Sequence, residues 1–67
     1  MIHVKGRDHE AIIIHRQVGD TFTFLLVREQ SQDGSALREA YYREDFVVGD
    51  EPGELERAIA AAPVVRV

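Results

Sequence analysis

The hydrophobic positions of this chain concentrate in residues 11–27, where apolar residues follow one another instead of alternating with polar ones. Residues 12–14 are three isoleucines, and a second apolar run covers residues 24–27. Gly19-Asp20 separates the two runs, as in a two-residue β-turn with glycine first. Because successive strand residues point to opposite faces, the pattern predicts a β-hairpin over residues 10–29 with apolar side chains on both faces.

A two-residue turn at Gly19-Asp20 would place Val18 opposite Thr21 and would set every later pair of the hairpin. In this register one face holds Ile12, Ile14, Leu25 and Val27, and the other holds Ile13, Phe22, Phe24 and Leu26. Neither set matches the solvent side of a simple antiparallel sheet, so we expect both faces to need a cover.

Shorter elements flank the hairpin. Residues 2–5 predict a first short strand, and residues 36–48 suit either a strand or a helix. A strand broken near Glu44-Asp45 is favoured there, because paired tyrosines and a Phe-Val-Val ending are typical of sheets. After a loop at 49–53, a helical stripe ends at Pro63 and a short strand follows. The stripe is Leu55, Ala58, Ile59 and Ala62, and the strand contains Val64, Val65 and Val67.

This order predicts one α+β domain over residues 1–67. Its sheet is an antiparallel meander of three or four strands around the central hairpin, followed by one C-terminal helix and a short final strand. The alternative is a small SH3-like β-barrel with a helix before the last strand. In the first arrangement a single narrow helix covers one sheet face, and the second face needs another solution, since large exposed apolar patches are rarely unused.

Charge and composition narrow the functional classes. The net charge is -4, and residues 33–67 carry the whole excess of acid. A nucleic-acid binder generally needs a basic footprint, which is absent here. No apolar run approaches the length of about 20 residues that a membrane span needs. The absence of cysteine fits a reducing compartment, so we expect a cytoplasmic protein, and its arginine-rich basic residues suggest a bacterial or phage source.

Candidate chemistry is sparse. His3, His9 and His15 lie six residues apart, which is not a metal-ligand spacing on a strand or a helix. The adjacent acids at 44–45 and 50–51 border predicted loops rather than a cleft suited to acid-base catalysis. We therefore expect no enzymatic activity, no cofactor and no metal.

The first functional hypothesis is a small interaction module that acts as a regulator, inhibitor or accessory subunit, self-associating or docking on a larger protein through an apolar sheet face. Its predicted interface residues are Ile13, Phe22, Phe24, Leu26, Tyr41 and Tyr42. The second hypothesis is an oligomeric binder of a nucleotide-like anion between subunits. Its predicted ligand-binding residues are Arg38, Arg43, Tyr41 and Tyr42. A weaker third hypothesis is a small barrel that binds nucleic acid.

Overall fold

Within residues 1–66, which a computed structural model describes, the chain forms six strands, one α-helix and one 3-10 turn. The strands are β1 (Ile2–Val4), β2 (Glu10–Val18), β3 (Thr23–Gln30), β4 (Ala36–Arg43), β5 (Val47–Gly49) and β6 (Val64–Arg66). The 3-10 turn is Glu44–Phe46 and the helix α1 is Glu54–Ala61. The predicted final strand is therefore present, although Val67 lies outside the described residues.

The strands form two sheets. A four-stranded sheet has the order β4-β3-β2-β6, and β1 pairs with β5 in a separate antiparallel ribbon. The α+β fold is thus confirmed, and residues 36–48 are strand, broken by the 3-10 turn. The SH3-like alternative is wrong, because the strands of the described residues do not close into a barrel. No described helix has the length and apolar composition needed to span a bilayer.

The predicted hairpin register is wrong in two respects. The connection between β2 and β3 is a four-residue loop over 19–22, so Val18 pairs with Thr23 rather than Thr21. The loop is closed by a hydrogen bond that the Gly19 N–H donates to the Phe22 carbonyl, with an N···O distance of 3.1 Å. A β-bulge at Ile14 then shifts the pairing by one further residue. A bulge exchanges the faces of all residues beyond it.

The core lies between the four-stranded sheet and a layer made of α1 and the β1–β5 ribbon. The face of the sheet that points to this layer is called the inner face. The buried apolar residues are Val4, Ala11, Leu25, Val27 and Val47, and Ile2, Ile13, Tyr42, Leu55 and Ile59 pack against them. The helix contributes only the half-buried Leu55 and Ile59, because it has eight residues and lies at the margin of the core.

One charged side chain is buried on the inner face. Glu29 follows Leu25 and Val27 on the same side of β3 and is 1% exposed. The Arg7 Nε donates to both of its carboxylate oxygens, at 2.7 and 2.8 Å. Arg7 reaches it from a tight turn in which the Arg7 N–H donates to the Val4 carbonyl and Gly6 has a φ of 78°. This conformation favours glycine. The contact with Glu29 raises the pKa of Arg7.

We expect Arg7→Leu to destabilise the protein more than the double variant Arg7→Leu, Glu29→Leu, because the single change leaves a buried carboxylate without a cation. The single variant should lose roughly 10 °C or more in melting temperature. Thermal unfolding of Arg7→Leu, Glu29→Leu and the double variant measures the coupling free energy between the two residues. The exposed pair Arg28–Glu39, with an N···O distance of 3.0 Å, is the matched control and should show almost none. Equal coupling in both pairs would contradict the assignment.

The loop between β3 and β4 is organised by Asp33. Its carboxylate accepts hydrogen bonds from the Ser31 hydroxyl and, at 2.9 Å, from the Ser35 N–H. Together these bonds lower the pKa of Asp33 to about 2, with the Ser31 hydroxyl as the largest cause. Gly34, with a φ of 89°, completes the turn.

Ser31→Ala should therefore raise the pKa of Asp33 toward its ordinary value of 3.8, because the ionised form loses its strongest donor. Because the folded-state pKa is lowered, the stabilisation from these bonds is present above about pH 4 and is lost as the pH falls through about 2. Carbon-detected NMR titration of the Asp33 carboxyl measures the shift. An unchanged midpoint in the variant would show that Ser31 is not the main donor.

Candidate functional site

The face of the four-stranded sheet opposite the core is uncovered within residues 1–66, and it is called the outer face. The strand pairing places residues from β2, β3 and β4 on this face. They are Glu10, Ile12, His15 and Gln17 of β2, Phe24, Leu26, Arg28 and Gln30 of β3, and Glu39, Tyr41 and Arg43 of β4. Val65 of β6 extends it beside Gln17. The helix and the β1–β5 ribbon pack against the inner face, so no element of the described residues lies over the apolar side chains of the outer face.

The centre of the outer face is one cross-strand row. Leu26 of β3 is the register partner of both His15 and Tyr41. The His15 Nε2 lies 3.1 Å from the Tyr41 hydroxyl, and their ring centroids are 5.7 Å apart. The two rings therefore bridge the half-buried Leu26, which gives the centre a defined shape with a polar contact built into an apolar surface.

A second aromatic group lies at the loop end of the outer face. Phe22 lies in the four-residue loop and contacts Phe24 edge to face, with ring centroids 6.5 Å apart. The Arg43 guanidinium lies 4.3 Å from the centroid of the Phe22 ring, a cation-π distance. The Phe22 ring is 47% exposed even with these contacts. It is thus held in place and still presents about half of its surface.

The charges of the outer face are balanced and paired. Its strands carry Glu10, Arg28, Glu39 and Arg43, two acids and two bases. The Arg28 Nε donates to Glu39 at 3.0 Å, and the Arg43 Nε lies 3.3 Å from Asp45. The Gln30 amide donates to Glu10 at 2.9 Å. The net charge of -4 therefore belongs to the rest of the molecule.

The structure brings most of the predicted interface residues together. Phe24, Leu26 and Tyr41 lie on the outer face, and Phe22 lies beside it. Ile13 and Tyr42 do not: both pack against the core on the inner face. The bulge at Ile14 moves Ile13 inward, and simple alternation along β4 separates the two tyrosines.

The predicted ligand-binding residues do not converge. Arg38 and Tyr42 share the inner side of β4, where the guanidinium lies 5.9 Å from the ring centroid. Arg43 and Tyr41 lie on the outer face. The sheet separates the two pairs, so these four side chains do not line one pocket.

Sequence reasoning did not include Ile12, His15 or Val65 among the predicted interface residues. The predicted register put Ile12 with the opposite set, whereas it is 39% exposed on the outer face. That register does place His15 beside Phe24 on the face of Leu26, but nothing in the pattern indicates its contact with Tyr41. Val65 depended on β6 pairing parallel with β2, which no local pattern indicates.

No family model, curated protein or solved structure matches this chain. In the part of the chain that the structure describes, no group of three or more His, Asp or Glu side chains is arranged to hold a metal ion. The outer face is therefore the candidate functional site on its geometry alone.

The two adjacent tyrosines should differ in reactivity. Tyr41 is 51% exposed and Tyr42 is half-buried against the core, so nitration by tetranitromethane at low protein concentration should modify Tyr41 several-fold faster. Peptide mapping by mass spectrometry measures the two nitration rates. The variants Tyr41→Phe and Tyr42→Phe are the controls that show which tyrosine is nitrated. Equal rates would contradict the placement of these residues on opposite faces.

Proposed function

We propose that this protein is a non-enzymatic interaction module that self-associates by stacking the outer faces of two copies, acting in the cytoplasm as a regulatory or accessory component. The single observation that supports it is the uncovered apolar surface of the sheet. The rings of Phe24 and Tyr41 lie on this surface with Leu26, Ile12 and Val65. No element of the described chain lies above them.

The charge distribution favours a second copy as the occupant. Outside the outer face the chain carries all of its net charge of -4, so contacts through the rest of the surface bring more like charge together than contacts through the neutral outer face. The outer face is neutral, and its central row of His15, Leu26 and Tyr41 carries no Asp, Glu, Lys or Arg. Arg28 and Glu39 lie in the next row and pair with each other. Such a surface is complementary to itself across a two-fold axis, as an isologous dimer requires.

The size of the face sets the expected strength. Strands about 4.8 Å apart and about 3.3 Å long per residue give this face a footprint of roughly 400–500 Å² per copy. That lies at the small end of specific interfaces, where association is reversible and transient. We expect a dimer with a dissociation constant of roughly 1–100 μM.

Two phenylalanines with equal exposure test the proposal. Phe22 borders the outer face, whereas Phe46 lies in the 3-10 turn that leads to the β1–β5 ribbon, and each is 47% exposed. Phe22→Ser should weaken the dimer about tenfold or more, while Phe46→Ser leaves it unchanged, because aromatic anchors carry most of the energy of small interfaces. Sedimentation equilibrium over a concentration series measures both.

A change at the centre gives the stronger test. Phe24→Asp should abolish association at every accessible concentration while the far-ultraviolet circular dichroism of a folded monomer remains. A wild-type protein that stays monomeric at millimolar concentration would overturn the proposal. So would a dimer that Phe22→Ser and Phe46→Ser weaken equally. Unfolding of Phe24→Asp would leave the Phe22 and Phe46 comparison as the deciding result.

A further inference from the structure

The second strand has an edge that is only partly paired. On the side away from β3, the short strand β6 pairs with Arg16–Val18 alone. The pairing begins where the Arg16 N–H donates to the Pro63 carbonyl at 2.8 Å. Residues 10–14 of β2 have no hydrogen-bonded strand on this side within residues 1–66. An unpaired strand edge is a template for a further strand.

This open edge borders a cavity. A depression of about 320 Å³ lies between residues 10–13 of β2 and one side of α1. Ile2 contributes to the lining from β1. The helix side is formed by Glu54 and by small residues of α1 and its end, namely Ala58, Ala61, Ala62 and Pro63. The volume suits one or two apolar side chains. The backbone edge and the cavity are thus placed as a strand-addition site requires, with main-chain pairing beside a pocket for alternate side chains.

The charges around the cavity have one sign. Its lining includes Glu10 and Glu54 and no lysine or arginine. Glu54 already forms an ion pair, because its Oε2 lies 3.2 Å from the amino group of Met1. Glu10 receives one hydrogen bond at Oε1, from Gln30, which leaves its other oxygen for a further donor. A lysine or arginine of a bound partner is therefore complementary in charge to this side of the cavity.

We propose that the open edge of β2 binds an extended peptide by strand addition, with an apolar side chain in the cavity beside α1 and a lysine or arginine against Glu10. The site lies at the edge of the sheet, away from Phe22 and the Leu26 row, and shares only Glu10 and Ile12 with the outer face. A bound strand there extends the sheet beside β2 in line with β6.

Adjacent alanines on α1 provide a matched test. Ala60 and Ala61 are both exposed, but only Ala61 lines this cavity. Peptides are selected on the wild-type protein from a random nonapeptide library displayed on phage, and each is then measured against Ala61→Leu and Ala60→Leu. We expect the selected peptides to alternate apolar and polar residues and to contain a basic one. Their affinity should fall at least tenfold with Ala61→Leu and remain unchanged with Ala60→Leu.

Two further measurements locate the peptide. Glu10→Gln should weaken binding several-fold, whereas Glu56→Gln, on an exposed part of α1 outside the cavity, should not. NMR should show the largest amide shifts and slower hydrogen exchange in residues 10–14. Failure to select any peptide would overturn the proposal. It is also overturned by peptides that bind Ala61→Leu normally, or that lose affinity with Phe22→Ser instead, since those occupy the outer face.

Discussion

The structure depends on one constraint: a strand has two faces, and this chain contains enough additional material to cover only one of them. The helix has eight residues and supplies Leu55 and Ile59, and the β1–β5 ribbon supplies most of the remaining cover. Both pack on the inner face. The core that results is small, because only five apolar residues in the described chain are fully buried. The outer face, which carries Ile12, Phe24, Leu26, Tyr41 and Val65 among polar residues, stays open as a consequence.

A small core makes the remaining contacts more important. Burial of Glu29 beside Leu25 and Val27 introduces a charge where a larger protein has room for another apolar side chain. With Arg7 in place, the carboxylate ties the β1–β2 connection to the centre of the sheet and so positions the ribbon that covers it. The same carboxylate without its partner opposes folding. The ion pair therefore adds a specific contact to the strand pairing and apolar packing that hold the cover of the inner face.

Much of this fold was predictable from local pattern, and the errors have physical causes. The extents of β2 and α1 follow from the runs of apolar residues and from helical spacing. Residues 36–48 fit either a strand or a helix, and the strand is favoured only by the paired tyrosines and the Phe-Val-Val ending. The hairpin register could not be predicted in this way, because the Gly19-Asp20 pair has the composition of a two-residue turn but lies in a four-residue loop. Lengthening a hairpin loop by two residues preserves which residues share a face, so Phe24 and Leu26 still fall on the predicted side. The bulge at Ile14 changes the count by one and exchanges Ile12 with Ile13.

The candidate site was predictable to the same extent. Glu29 follows Leu25 and Val27 on one side of β3, but its burial was not predicted from the sequence, and nothing local indicates that Arg7 returns to meet it. The parallel pairing of β6 with β2 depends on where α1 ends, so neither Val65 nor the open edge at residues 10–14 was visible in the sequence. Non-local pairing of short segments carries little sequence signal, since three residues such as Val64–Arg66 suit a strand in any direction.

The outer face and the open edge of β2 are linked through Ile12. Its side chain lies on the outer face, and it also lines the cavity beside α1. A strand added at this edge places new side chains next to Ile12 and widens the apolar layer available for stacking. Because the two proposed sites share a residue, binding at one can change the binding free energy at the other, and any such coupling is reciprocal. A peptide at the edge that strengthens the dimer must bind the dimer more tightly than the monomer by the same factor. The partial coverage of one sheet thus connects the two proposed surfaces.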